Sequence, residues 1–121
     1  MNAMEIGTKL VELCNQGKNH EAMQTLYAED IVSVEAMSMP NMPAEQRGIA
    51  AIMEKGKWWA DNNEVHSAQA VGPFPQGDRF IVRFTYETTF KPTGKRQTMD
   101  EMALFTVANG KIVREEFFYT V

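Results

Sequence analysis

The stretch "RFIVRFTYETTF" (residues 79–90) alternates. Phe80, Val82, Phe84, Tyr86 and Phe90 fall on one side, and Ile81, Arg83, Thr85, Glu87 and Thr89 on the other. A period of two over this length is a half-buried antiparallel strand, apolar toward a core and mixed toward water. Its neighbours keep the same period. "EVHSAQAV" (64–71) reads as a strand closed by "GPFPQGD" (72–78), and "KPTGKR" (91–96) is the turn into "QTMDEMALFTV" (97–107). Asn109-Gly110 is a strong hairpin signal, and it leads into "IVREEFFYT" (112–120). The C-terminal half is therefore an antiparallel meander.

The N-terminal half has the other period. Ile6, Leu10, Leu13 and Cys14 form a helical stripe over residues 3–16, stopped at Gly17 as a left-handed C-cap would stop it. Asn19 is placed to cap a second, short helix holding Ala22, Met23, Leu26 and Tyr27. A strand over 31–37 follows, then the loop "SMPNMP" (38–43), where proline can continue neither a ladder nor a helix interior. Ile49, Ile52, Met53, Gly56 and Trp59 or Ala60 give a third helical stripe, ended by "DNN" (61–63). The order α-α-β-α-β-β-β-β predicts an α+β fold with helices packed on one side of a curved sheet.

The strand over 31–37 holds an oddity. Glu35 shares the side of Ile31 and Met37. It is either a proton acceptor or polar anchor in an apolar cavity, or a strand-end carboxylate that is solvated or paired with a lysine or arginine. Desolvation is the usual way a carboxylate is made into a base.

The composition narrows the classes. The 121 residues suit one domain, 1–121. The net charge of −4 and the lack of a basic block argue against a nucleic-acid surface. One cysteine, Cys14, leaves no internal disulfide. No apolar run approaches a membrane span, and "MNAMEIGTKLVELC" lacks the basic and apolar blocks of a signal peptide. A cytoplasmic protein is the expectation. No His, Cys and carboxylate spacing suggests a metal, no glycine-rich loop suggests a nucleotide, and Ser33 and Ser38 have no histidine motif beside them. No cofactor is expected. Nine methionines point to an adaptable apolar space. Met37, Met39 and Met42 read as a lid over a cavity or as a core plug.

"GKNHEAMQTLYAEDIVSVE" (17–35), "RGIAAI" (47–52) and "NGKIVREEFFY" (109–119) together resemble the nuclear transport factor 2-like superfamily. Within it the chain is most similar to SnoaL-like polyketide cyclases and relatives of ketosteroid isomerase. The resemblance implies a cone of three helices around a strongly bent mixed sheet, with a pocket at the wide end. It also implies a homodimer through the outer sheet face, where Leu104 and Phe118 would otherwise be exposed. Glu35 falls on the position of the isomerase's general base. The isomerase's oxyanion-binding tyrosine falls on Leu10 and its protonated acid on Ala103, and neither residue can donate a hydrogen bond to an enolate.

On that alignment the catalytic candidate is Glu35. The ligand-binding candidates are Met37, Trp59, Phe84, Tyr86, Glu101, Ala103, Glu115, Phe117 and Tyr119, around a small apolar organic molecule. Glu101 and Glu115 share the pocket parity. One of them either partners Glu35 or sits with Arg83, Arg96 or Arg114 as a plain ion pair; the alternative for both is structural pairing or solvation. Tyr27 reads as helix-packing core, His66 as a surface or wall residue, and His20 as solvated. Trp58 is left to solvent, a partner or the pocket mouth. The implied activity is cofactor-free proton transfer beside a carbonyl. The rival reading is a dimeric binding module without catalysis.

Overall fold

The computed structural model describes residues 1–38 and 42–120. Helix α1 (Ala3–Asn15) begins on a capping box, in which the Asn2 side chain accepts from the Glu5 amide at 2.9 Å and Glu5 accepts from the Asn2 amide at 3.1 Å. This satisfies two amides that the first helical turn leaves without partners. The stripe buries Ile6, Leu10 and Leu13, and Gly17 follows at φ 74°, the left-handed conformation expected of it. Helix α2 spans Asn19–Leu26. Asn19 is its first helical residue rather than its cap; Lys18 holds that position, with no side-chain cap bond.

Strand β1 (Tyr27–Val34) starts directly from α2, four residues before the expected Ile31. It buries Ile31 and Ser33 on one face. A three-residue strand, β2 (Glu45–Arg47), pairs antiparallel with β1 and has no counterpart in the sequence reading. Helix α3 (Ile49–Asn62) and strands β3 (Asn63–Gln76), β4 (Arg79–Phe90), β5 (Lys95–Ala108) and β6 (Lys111–Phe118) complete the chain. β3 runs through the "GPFPQ" segment that was expected to close it. Its ladder skips from Val71–Arg83 to Phe74–Ile81, and the bulge carries Gly72 and Pro73. A proline is tolerated there because β3 is an edge strand.

The six strands lie in the order β2-β1-β6-β5-β4-β3. β1 and β6 are parallel and the other pairs antiparallel, so the sheet is mixed, and it does not close. α1 packs on β3 and β4, and α3 on β1. Between them Phe80 stacks on Phe105 with ring centroids 4.9 Å apart. Gly7 lets α1 approach closely: a Cβ there would lie 2.7 Å from Pro73 Cβ and 3.1 Å from the Phe80 ring.

Two irregularities aim side chains. In β6, Ile112 pairs with Val107 and Arg114 with Thr106, which leaves Val113 bulged. Strict alternation would put Ile112 with Arg114. The bulge instead turns Ile112 and Glu115 to the same, buried face. Asn109 at φ 52° and Gly110 at φ 76° make the tight hairpin between β5 and β6 that their sequence predicts.

Candidate functional site

β1, β6 and β5 are consecutive in the sheet, and their inward faces carry polar groups at one end. Ser33 lies opposite Glu115 in the parallel register. Ala103 lies opposite Phe117, and Glu101 is two residues further along that face of β5, next to Tyr119 beyond the end of β6. From α3, Lys55 reaches across to this cluster.

Glu115 is 2% exposed, and its carboxylate is the hub. Tyr27 donates its hydroxyl to Oε2 in a short hydrogen bond, and Ser33 Oγ donates to Oε1 at 2.8 Å. Lys55 Nζ donates to Ser33 Oγ at 2.7 Å, lies 3.6 Å from Glu35 Oε2 and sits 5.3 Å from the centroid of the Phe117 ring. A continuous line therefore runs from Tyr27 through Glu115, Ser33 and Lys55 to Glu35. It connects α3 to three segments of the sheet side.

The electrostatics follow from crowding three carboxylates round one ammonium. Burial, reinforced by the Glu35 charge, pushes the Glu101 carboxyl up to about 7; Lys55 opposes the shift and Glu115 adds to it. Burial also raises Glu115 above the usual carboxylate range, against its hydrogen bond from Tyr27, the Lys55 charge and its hydrogen bond from Ser33. Tyr119 is raised by burial and by Glu35 and Glu101, with the amides of Ala36 and Met37 opposing. Tyr27 is raised by burial and by Glu115. Burial and the Glu115 charge push the half-buried Cys14 thiol up to about 12, which disfavours its thiolate. Like charges oppose joint ionisation, so the cluster keeps a proton near neutral pH, on a group able both to give and to take one.

The structure sorts the sequence candidates. Glu35, Glu101, Glu115, Phe117 and Tyr119 come together around Lys55. Phe84 and Ala103 are buried in the core beside them, at 5% and 0% exposure. Trp59 packs on Tyr86 with ring centroids 5.5 Å apart, and Trp58 tilts against Phe90, half in solvent. Met37 is 46% exposed and faces water rather than a cavity wall. Met39 lies outside the described residues. His66 is exposed and meets Thr89 at 2.7 Å, and His20 is exposed as well.

The arginines expected as alternative partners of Glu101 and Glu115 are elsewhere. Arg83 pairs with Asp100 at 2.7 Å, Arg96 with Glu87 at 2.8 Å and Arg114 with Glu116 at 2.6 Å, all toward the outer face or the hairpin tip. Tyr27 packs against the core, but as the first residue of β1 at the end of α2, with its hydroxyl bound to Glu115. The residue missed outright is Lys55. It lies three after Ile52 and four before Trp59, on the apolar stripe of α3. A cation at that spacing is the same kind of signal as Glu35 on its strand.

An open cleft of about 530 Å³ on the outer side of the sheet is lined by Arg83, Asp100, Met102, Phe118 and Thr120 together with Glu101 and Tyr119; Glu35, Lys55 and Glu115 are not among its walls. Among the described residues no group of His, Cys, Asp and Glu is placed to hold a metal ion, and no helix is long and apolar enough to cross a membrane.

Comparison with known proteins gives this arrangement a family. The chain is 45% identical to a Mesorhizobium loti protein described as a SnoaL-like polyketide cyclase, over 95% of this chain and 97% of that one, with a TM-score of 0.90. More distant structures share the fold. A Bacillus subtilis protein described as an isomerase matches at 19% identity and TM-score 0.79, over 99% of this chain and 90% of that one. A nuclear transport factor 2-like protein of Burkholderia thailandensis matches at 21% and 0.81, over 98% and 91%. No curated protein matches the chain. The SnoaL-like domain model matches residues 1–119, and the chain belongs to the SnoaL-like domain family.

Proposed function

We propose that the chain binds a small, largely apolar carbonyl compound beside Glu101, Glu35 and Lys55 and moves a proton on it by acid/base chemistry, in an isomerase, cyclase or dehydratase type of step. The observation that carries this reading is the gathering of Glu35, Glu101 and Glu115 around Lys55, where burial and the Glu35 charge also raise the Glu101 carboxyl to about 7. Relatives described as a polyketide cyclase and an isomerase support a ligand-binding or isomerase-type role.

In this mechanism Glu35, as carboxylate, takes a proton from the carbon beside the carbonyl. The C–H electron pair becomes a carbon–carbon double bond, and the π pair of the carbonyl moves onto its oxygen. Glu101, holding its proton, donates a hydrogen bond to that oxygen, and Tyr119 is a second donor. Return of the proton to a different carbon, or loss of a leaving group, completes the step. Ala103 cannot supply the donor that the family resemblance places there, but Glu101 is one strand period away on the same face. The rate should fall as pH rises through about 7, because Glu101 then loses the proton it donates. The test is solvent exchange: cyclic 1,3-diketones and cycloalkenones in deuterated buffer, followed by proton NMR. Loss of the signal beside the carbonyl, dependent on native protein and on Glu35, is expected. No exchange above buffer across the panel would refute catalysis.

The second reading is a binding module without turnover, favoured by the Glu35–Lys55 ion pair, which occupies the base. Both readings include a homodimer. Phe118 is 53% exposed, with Met102 and Ile81 also exposed on the outer face of the sheet. A two-fold partner would cover them. Light scattering should give twice the chain mass for the native protein and the monomer mass for Phe118→Arg. A native monomer at high micromolar concentration would contradict the pairing.

A further inference from the structure

Resting on the reading of the site as an acid/base centre, we infer that Lys55 is a further catalytic residue. Its ammonium seats the substrate oxygen that becomes negative, and it thereby selects carbonyl compounds that can form an enolate. The sequence positions that would supply oxyanion donors by resemblance hold Leu10 and Ala103, both buried and apolar. The structure brings a charged donor to the site from a third element, α3.

Three features fit Lys55 to this task. Its side chain is only 15% exposed, so its field is weakly screened. It is held in place at two points, by Ser33 Oγ at 2.7 Å and by the Phe117 ring at 5.3 Å. Its contact with Glu35 is 3.6 Å, longer than a hydrogen bond. An ammonium has three N–H donors. Ser33 takes one, and the remaining two can turn to an oxygen lying between Glu35 and Glu101. Both carboxyls feel the same charge, since Lys55 lowers Glu101 and Glu115 alike. Donors already fixed where charge develops need no rearrangement during reaction, and that is the largest usual source of rate enhancement.

Ser33, Glu115 and Tyr27 then act through Lys55 as positioning residues. Ser33 accepts from the ammonium and donates its hydroxyl hydrogen bond to Glu115, which also accepts from Tyr27. The substrate step keeps its balance: the carbon-bound proton goes to Glu35, its electron pair forms the carbon–carbon double bond, the carbonyl π pair moves onto oxygen, and Lys55 neutralises that charge without giving up a proton.

The probe is 4-nitrophenol, a flat ring whose phenolate mimics an enolate oxygen and reports its own ionisation by colour. Bound to native protein, it should ionise at a pH at least about one unit lower than when bound to Lys55→Met, a tenfold change in the ionisation equilibrium. Lys55→Arg should restore part of the difference. Glu35→Gln should keep the seat and lower the ionisation pH further by removing a negative neighbour. Equal ionisation in the native protein and Lys55→Met, or no binding of the probe to native protein, would overturn the inference. Should Lys55→Met not fold, the nitrogen-15 signal of the Lys55 ammonium in the native protein decides it. Adding the phenolate should shift that signal, and an unmoved signal would equally overturn the proposal. The two readings fail separately. Solvent exchange that needs Glu35 but ignores Lys55 removes this inference alone. A phenolate seat that needs Lys55, with no exchange of any diketone, removes the catalytic reading and leaves the seat.

Discussion

Replacing Glu115 with alanine should cost about 3–5 kcal/mol of folding stability, a large part of what a domain of this size has. Glu115 is 2% exposed and accepts from two hydroxyls, Tyr27 and Ser33. Its removal leaves both donors buried without an acceptor, at about 1–3 kcal/mol each. The lost methylenes leave a small cavity that adds to the cost. Relief of Glu115's own desolvation offsets part of this, so the sum of the separate costs is an upper bound. Glu115→Gln should fall between, because its amide oxygen can accept from one hydroxyl while its NH2 group faces the other donor. Urea unfolding at pH 7 measures both, with the midpoint shifted and the slope unchanged. A loss below about 1 kcal/mol for the alanine variant would show that the Tyr27–Glu115–Ser33 line does not hold β1 to β6.

Glu35→Gln should lower turnover by about 10² to 10⁴, the usual loss on removing a general base, and change stability little. Its side chain is 28% exposed and its ion pair with Lys55 spans 3.6 Å. Such a pair contributes about 0–1 kcal/mol after screening and side-chain ordering. Two further effects oppose each other. Lys55 loses a counter-charge, while Glu101 loses a repulsive neighbour. The expected signature is therefore a collapse of solvent exchange with a melting temperature within a few degrees of native. The opposite pattern, a clear drop in melting temperature with exchange intact, would assign Glu35 to holding α3 on the sheet.

The sequence carried the sheet further than it carried the site. In β4 the alternation of Phe80, Val82, Phe84 and Tyr86 has a single solution, and the structure buries that face. The Asn109-Gly110 turn fixed the last hairpin in the same way. β2 was invisible because Glu45-Gln46-Arg47 has neither length nor an apolar period; it exists only because β1 offers an edge. The ladder across Gly72 and Pro73 was read as a stop, since local rules for proline do not reveal that β3 is an edge strand. Glu101 and Glu115 were placed on the inner face by parity, but their partner was not. Arginines nearby in sequence drew attention to the wrong cations. Lys55 comes from α3, and only the packing of α3 against β1 brings it to Ser33 and Glu35. Tyr27 follows the helical stripe of α2 in sequence because β1 begins without a loop, and only the parallel pairing of β1 with β6 brings Glu115 to its hydroxyl.

Burial and the Glu35 charge tune the Glu101 carboxyl toward neutral pH. Folding raises it from 4.5 to about 7, so between these values the folded chain holds a proton that the unfolded chain has lost. Its contribution to stability is thus most favourable below about 4.5 and declines as pH rises to about 7. The most direct measurement is a carbon-13 NMR titration of the Glu101 side-chain carboxyl in the native protein and in Glu35→Gln. A midpoint near 7 is expected in the native protein and a lower one in the variant. A native midpoint near 4.5, unmoved by the substitution, would contradict this tuning.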